Sequence, residues 1–131
     1  MEIDLNQTLR DLERDKWSDP TIVWTPLTQR IRDLARIPLR EFTVEDLRLL
    51  IGQERALDTL LPLALEELKK DPFAEGDMYV GDLLMTVLRE AKAPKAELKR
   101  IVATALARLG ELDEVDREEL EPPLRQAYET L

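Results

Sequence analysis

The chain has 131 residues and contains neither cysteine nor histidine, which excludes disulfides, thiolate chemistry, histidine-ligated metals and histidine-dependent catalysis. Its 19 basic residues are outnumbered by 28 acidic ones, and the net charge of −9 disfavours binding to nucleic acid or to an anionic membrane. Residues 1–20 are charged throughout, and no apolar run is long enough to span a bilayer. The sequence therefore predicts no secretion signal and no membrane span, and it favours a cytoplasmic location.

The first predicted element is a short amphipathic helix at the N-terminus. Leu5, Leu9 and Leu12 recur at helical spacing, and the pattern ends near the "SDP" at residues 18–20. The following "TIVW", residues 21–24, is the only run in the chain that is typical of a β-strand.

Two helices with recognisable N-caps are predicted next. Thr25 precedes Pro26, a pair typical of an N-cap and the first helical position. Pro38 is expected to mark the end of that helix. Thr43 is a second N-cap, and Asp46 three residues later is placed to complete a reciprocal capping arrangement. Residues expected on the buried faces of these two helices are Leu27, Ile31, Leu34, Val44, Leu47 and Ile51.

The remaining helices are predicted from apolar stripes and interrupted by prolines. Pro62 lies inside one stripe, so a kink or a division into two helices is expected there. Pro94 and Gly110 bound the most regular stripe, and Pro122 and Pro123 interrupt the last one. The stripes comprise Leu57, Leu60, Leu61, Ala64 and Leu68; Leu84, Val87 and Leu88; Leu98, Ile101, Val102, Ala105 and Leu109; and Leu120, Leu124, Ala127, Tyr128 and Leu131. The pattern predicts an all-α fold, a single compact domain over residues 1–131 with about six to eight short helices.

The segment "DPFAEGDMYVGDLL", residues 71–84, is unusual because it places four carboxylates, two glycines and two aromatic residues between two predicted helices. Residues 71–90 carry five acidic groups and one basic group, a net charge of −4. A calcium loop is a poor match, because Phe73 stands where the third position needs an oxygen ligand, and we expect no metal or other cofactor. A pair of catalytic carboxylates is also disfavoured, because the chain has few aromatic residues to bind a sugar.

Two interpretations of this segment stay open. In the first it is a well-built connection, in which Gly76 allows a left-handed turn, Asp82 caps the next helix, and Phe73 and Tyr79 pack on the core. In the second it is an acidic surface for a cationic protein, with Tyr79 as an aromatic contact.

The central sequence resembles a known family. The phrases "PLREFTVEDLRLLIGQ" at residues 38–53 and "LLPLALEELKKDPFAEGDMYVGDLLMTVL" at residues 60–88 resemble the small immunity proteins of contact-dependent growth inhibition systems, the CdiI type. The family pattern is expected to continue after "IGQ" with small apolar residues and a second glycine, whereas this chain has Glu54, Arg55 and Ala56.

The resemblance implies a binding function without catalysis. Such a protein binds and neutralises the cognate C-terminal toxin domain of a cell-surface or secreted toxin, and many of these toxins are cationic nucleases. On this basis the candidate toxin contacts are Asp71, Glu75, Asp77, Tyr79 and Asp82, and the protein is expected to act as a monomer. The alternative is a helical adaptor or scaffold that binds another protein through a groove; a carboxylate-dependent hydrolase is disfavoured by the missing histidines.

Overall fold

The computed structural model of the chain describes residues 3–13 and 25–131, and it confirms the all-α prediction. Within those ranges the chain forms seven α-helices and no strand. The predicted break at residues 18–20 and the β-like run at residues 21–24 lie outside the described residues. The helices are α1 (Leu9–Leu12), α2 (Pro26–Leu34), α3 (Val44–Gly52), α4 (Leu57–Lys70), α5 (Asp82–Leu88), α6 (Lys95–Ala107) and α7 (Glu114–Thr130), with 3₁₀ turns at Leu39–Glu41 and Leu109–Glu111.

Both predicted N-caps are present. The Thr25 side chain accepts a hydrogen bond from the backbone N–H of Thr28, and Thr43 and Asp46 form the reciprocal capping box. Asp46 is also buried, and its second carboxylate oxygen accepts a hydrogen bond at 2.9 Å from the Arg30 guanidinium. The Asp46 carboxylate thus stabilises the first turn of α3 and links this helix to α2.

The core lies where α3, α4, α5 and α6 meet, and α7 packs on α6. Most of the predicted stripe residues are buried there, and α7 contributes Leu120 and Leu124. The predicted N-terminal face is only partly correct, because Leu5 and Leu12 are exposed while Leu9 is buried. Leu27, which was expected on the buried face of α2, is also exposed. None of the helices in the described parts of the chain is long and apolar enough to cross a membrane.

The division into two helices that was one of the two expectations at Pro62 does not occur, and the interruption expected at Pro122 and Pro123 is wrong. Pro62 lies inside the single helix α4, and Pro122 and Pro123 both lie inside α7. All three rings are exposed, and so is Asp58, whose carbonyl group loses its helical donor because of Pro62. Solvent can hydrogen-bond to a carbonyl on that side, so a helix can continue through a proline on its exposed face.

Replacing Pro62 with alanine is expected to stabilise the protein. The substitution restores the missing N–H donor and removes the contact of the ring with the preceding turn, so we expect the free energy of unfolding to rise by about 1–3 kcal/mol. Pro26→Ala is the matched control, because Pro26 occupies the first turn of α2, where no donor is lost and no gain is expected. Urea denaturation checks both variants, and an unchanged Pro62→Ala midpoint would contradict the explanation.

The connection between α3 and α4 departs from ordinary backbone geometry. Glu54 and Ala56 have φ angles of 55° and 52°, in the left-handed region that favours glycine. This is the place where the family resemblance led us to expect a second glycine. A glycine would adopt this left-handed backbone conformation with less strain than Glu54 or Ala56 does.

Candidate functional site

The segment between α4 and α5, residues 71–81, is the candidate site, and its base is fixed to the core. The backbone N–H of Phe73 donates to the Asp71 carboxylate at 2.9 Å, and that of Ala74 donates to the Asp71 carbonyl at 3.1 Å. Phe73 and Ala74 are buried, as expected for residues that pin the loop. Asp71 itself is exposed and shapes the exit from α4.

Asp82 holds the loop from below. The residue is 1% exposed, and its carboxylate accepts hydrogen bonds from the backbone N–H groups of Gly76 at 2.7 Å, Met78 at 3.0 Å and Tyr79 at 3.4 Å. The expectation that Asp82 caps α5 is wrong, because it is the first residue of that helix and makes no capping bond to it. The carboxylate instead satisfies the amides of the preceding loop.

Helix α3 supplies two residues that sequence reasoning missed. Glu45 accepts a hydrogen bond from the backbone N–H of Asp77 at 2.9 Å, and Arg48 donates two hydrogen bonds to the Glu45 carboxylate. The Arg48 Nε atom also lies 3.8 Å from an Asp82 carboxylate oxygen. In the sequence, Glu45 and Arg48 have only the three-residue spacing of an ordinary surface pair on a helix.

Both members of this pair carry their charge in the folded protein. The hydrogen bond from Arg48 lowers the pKa of Glu45 below its ordinary value of 4.5, and the bond from the Asp77 backbone acts in the same direction. The hydrogen bond to Glu45 raises the pKa of Arg48. Both side chains are 19% exposed, so solvent screens the pair less than it would on the open surface.

The two glycines of the loop have different roles. Gly76 was expected to allow a left-handed turn, but the left-handed glycine is Gly81, with a φ angle of 80°. Gly76 is needed for close approach instead, because a Cβ there would lie 2.6 Å from the Glu45 Oε1 atom and 3.2 Å from its Cα. A side chain at position 76 would therefore push the loop away from α3.

The loop presents an acidic and aromatic outer face. Glu75 and Asp77 are exposed, Met78 is 66% exposed and Tyr79 is 41% exposed. Of the predicted contact residues, the structure thus brings Glu75, Asp77 and Tyr79 to the outer face, leaves Asp71 exposed at the base, and buries Asp82 beneath them. No group of three or more acidic residues that could hold a metal ion occurs within residues 3–13 and 25–131.

The loop anchor is expected to weaken in acid. The pKa of Glu45 is lowered in the folded state, so its contribution to stability is complete above 4.5 and is lost as the pH falls through the folded value. Glu45→Gln should therefore be less stable than the unmodified protein at neutral pH, and the difference should shrink below about pH 4. Chemical denaturation between pH 3 and 7 measures this difference.

A matched control is Glu66→Gln, which removes one of the two carboxylates that pair with the exposed Lys69. That substitution is expected to change stability by less than about 1 kcal/mol at every pH. A constant difference between Glu45→Gln and the unmodified protein across the pH range would contradict the assigned role of the carboxylate.

Comparison with known proteins assigns a family to this arrangement. The family model of CDI immunity proteins matches residues 11–104, which include α3, the loop and α5 and amount to well over half of the chain. A search of curated proteins gives no match. The family match covers Glu45, Arg48 and Asp82 together with the outer face that they support, and the chain belongs to the CDI immunity proteins.

Proposed function

We propose that this protein binds the C-terminal domain of its cognate toxin and neutralises it without catalysis, and that this toxin domain is a basic nuclease. The observation that carries the proposal is the anchored loop, which exposes Glu75, Asp77 and Tyr79. These side chains are supported by the partly buried Glu45 and Arg48 and by the buried Asp82. A surface that is ordered before binding loses little conformational entropy in a complex, so more of the contact energy is retained as affinity.

The charge of the loop region supports a cationic partner. Residues 71–90 have a net charge of −4 in a chain of net charge −9. A nuclease must hold a polyanion, so its binding surface is basic and complements an acidic inhibitor. Complementary electrostatic fields of two proteins speed their association, with association rate constants up to about 10⁸–10⁹ M⁻¹s⁻¹ at low salt.

In this proposal the exposed residues of the loop contact the toxin, and the buried Asp82 supports them. Glu75, Asp77 and Tyr79 contact the toxin, and Asp71 lies at the margin of the contact. Asp82 was a candidate contact, but a residue that is 1% exposed offers little surface to a partner. We therefore propose that Asp82 is a positioning residue, which holds the amides of the loop while the exposed side chains meet the toxin.

The test begins with the toxin gene. The C-terminal domain of a large adhesin encoded immediately upstream would be purified and titrated against this protein by calorimetry. We expect one-to-one binding at nanomolar affinity, loss of toxicity, and a complex containing one copy of each chain in the cytoplasm. Absence of binding to that domain would contradict the proposal and favour a helical adaptor.

A further inference from the structure

An open groove of about 350 Å³ lies beside the loop and extends its outer face. Tyr79, Met85 and Arg89 line one wall, and helix α7 forms the other. The α7 residues that line the groove are Asp116, Glu119, Leu120 and Pro123. Tyr79 belongs both to the outer face of the loop and to the groove, so the two form one continuous surface.

The loop and α7 are in direct contact at the end of this groove. A Cβ on Gly81 would lie 3.3 Å from the Leu120 Cδ1 atom, so the left-handed turn that ends the loop packs closely on α7. Leu120 is buried, whereas Tyr79 and Pro123 are exposed. The groove therefore has an apolar floor that adjoins the acidic loop.

Two carboxylates of α7, those of Asp116 and Glu119, line this groove beside its apolar floor. Neither Asp116 nor Glu119 forms an ion pair with any residue that the structure describes. Partial removal from water and the nearby Asp113 carboxylate raise the pKa of Asp116. Arg89 on the opposite wall leaves the groove with one more negative than positive charge.

A lysine or arginine side chain would supply the ion-pair partner that neither Asp116 nor Glu119 has among the described residues. Its methylene stem can lie along Met85, Leu120 and the Tyr79 ring while its cation reaches the carboxylates of α7. A cation close to the Tyr79 ring would also be attracted to its π-face. A purely apolar ligand would leave the two carboxylates desolvated and unpaired, at a cost in affinity.

We propose that a lysine or arginine side chain of the toxin domain inserts into this groove, and that α7 is the wall that selects the toxin. This inference rests on the proposed function. The family match ends at residue 104, so the α7 wall lies outside it while the opposite wall lies within it. The family match thus includes one side of the groove, and the other side lies beyond the matched residues.

Two adjacent prolines allow a matched steric test. Pro122 and Pro123 are both exposed within α7, but only Pro123 lines the groove. Pro123→Trp fills the groove and is expected to weaken binding of the adjacently encoded toxin domain about tenfold or more, whereas Pro122→Trp should change it less than about twofold. Calorimetry against the same toxin domain measures both, and circular dichroism verifies that both variants fold.

A charge test is independent of the steric one. Asp116→Asn with Glu119→Gln is expected to weaken toxin binding about tenfold, and Glu118→Gln with Glu129→Gln removes the same charge from exposed α7 positions outside the groove. Failure of the unmodified protein to bind would overturn the proposed function and this inference together. If it binds and the groove variants bind equally well, only the groove assignment is overturned.

Discussion

Replacing Asp82 with alanine is expected to lower the free energy of unfolding by about 3 kcal/mol or more. The carboxylate is buried and accepts hydrogen bonds from the amides of Gly76, Met78 and Tyr79. Its removal leaves these donors without their acceptor and takes a negative charge away from Arg48. An N-cap substitution costs only about 0.5–2 kcal/mol, so the size of the loss separates loop support from helix capping.

Asp77→Ala is the matched control for this substitution. Asp77 belongs to the same loop but has an exposed side chain, and its bond to Glu45 is made by its backbone N–H, which alanine retains. We expect its stability to change by less than about 0.5 kcal/mol. Urea denaturation of both variants checks the comparison, and a loss of less than about 2 kcal/mol in the Asp82→Ala variant would contradict the assigned role.

The same two variants should also separate support from contact in toxin binding. Asp77→Ala is expected to weaken binding while the fold is intact. Asp82→Ala is expected to lower stability directly. It should weaken binding only indirectly, because the outer face loses its order. The two readouts together therefore distinguish a positioning residue from a contact residue.

The predictable parts of this fold are the local ones. Thr43 and Asp46 are three residues apart, and their reciprocal capping bonds depend only on that spacing and on the start of a helix. Stripes such as the one in α4 identify a buried face because helical periodicity is a property of neighbouring residues. The exposed Leu27 shows the limit of this approach, since a stripe does not show where the neighbouring elements end.

The loop anchor could not be predicted because it joins distant parts of the chain. The Glu45–Asp77 hydrogen bond spans 32 residues, and Gly76 is needed only because α3 passes against it. The four carboxylates in the segment look equivalent in the sequence, yet the fold buries Asp82 and exposes Glu75 and Asp77. Burial of a side chain depends on how the helices pack. The sequence therefore does not show which of the candidate contact residues are exposed and which are buried.

Reversing two charges on the outer face is expected to slow toxin association without unfolding the protein. Glu75→Lys with Asp77→Lys changes the net charge from −9 to −5 and places two cations where we propose that a basic toxin approaches. At low ionic strength the association rate constant should fall about 10- to 100-fold. Stopped-flow kinetics with the adjacently encoded toxin domain would measure the change.

A control variant with the same net charge, compared at two salt concentrations, shows whether the toxin contacts the loop. Glu41→Lys with Glu129→Lys gives the same net charge from exposed positions outside the loop and the groove. Near 0.15 M salt the Debye length is about 8 Å, so distant charges act weakly while charges at the interface still act on a docked partner. The loop variant should therefore bind more weakly at that salt concentration, and the control should recover normal binding. Equal slowing by both variants would mean that only the total charge matters, whereas no slowing by the loop variant would place the toxin on another face.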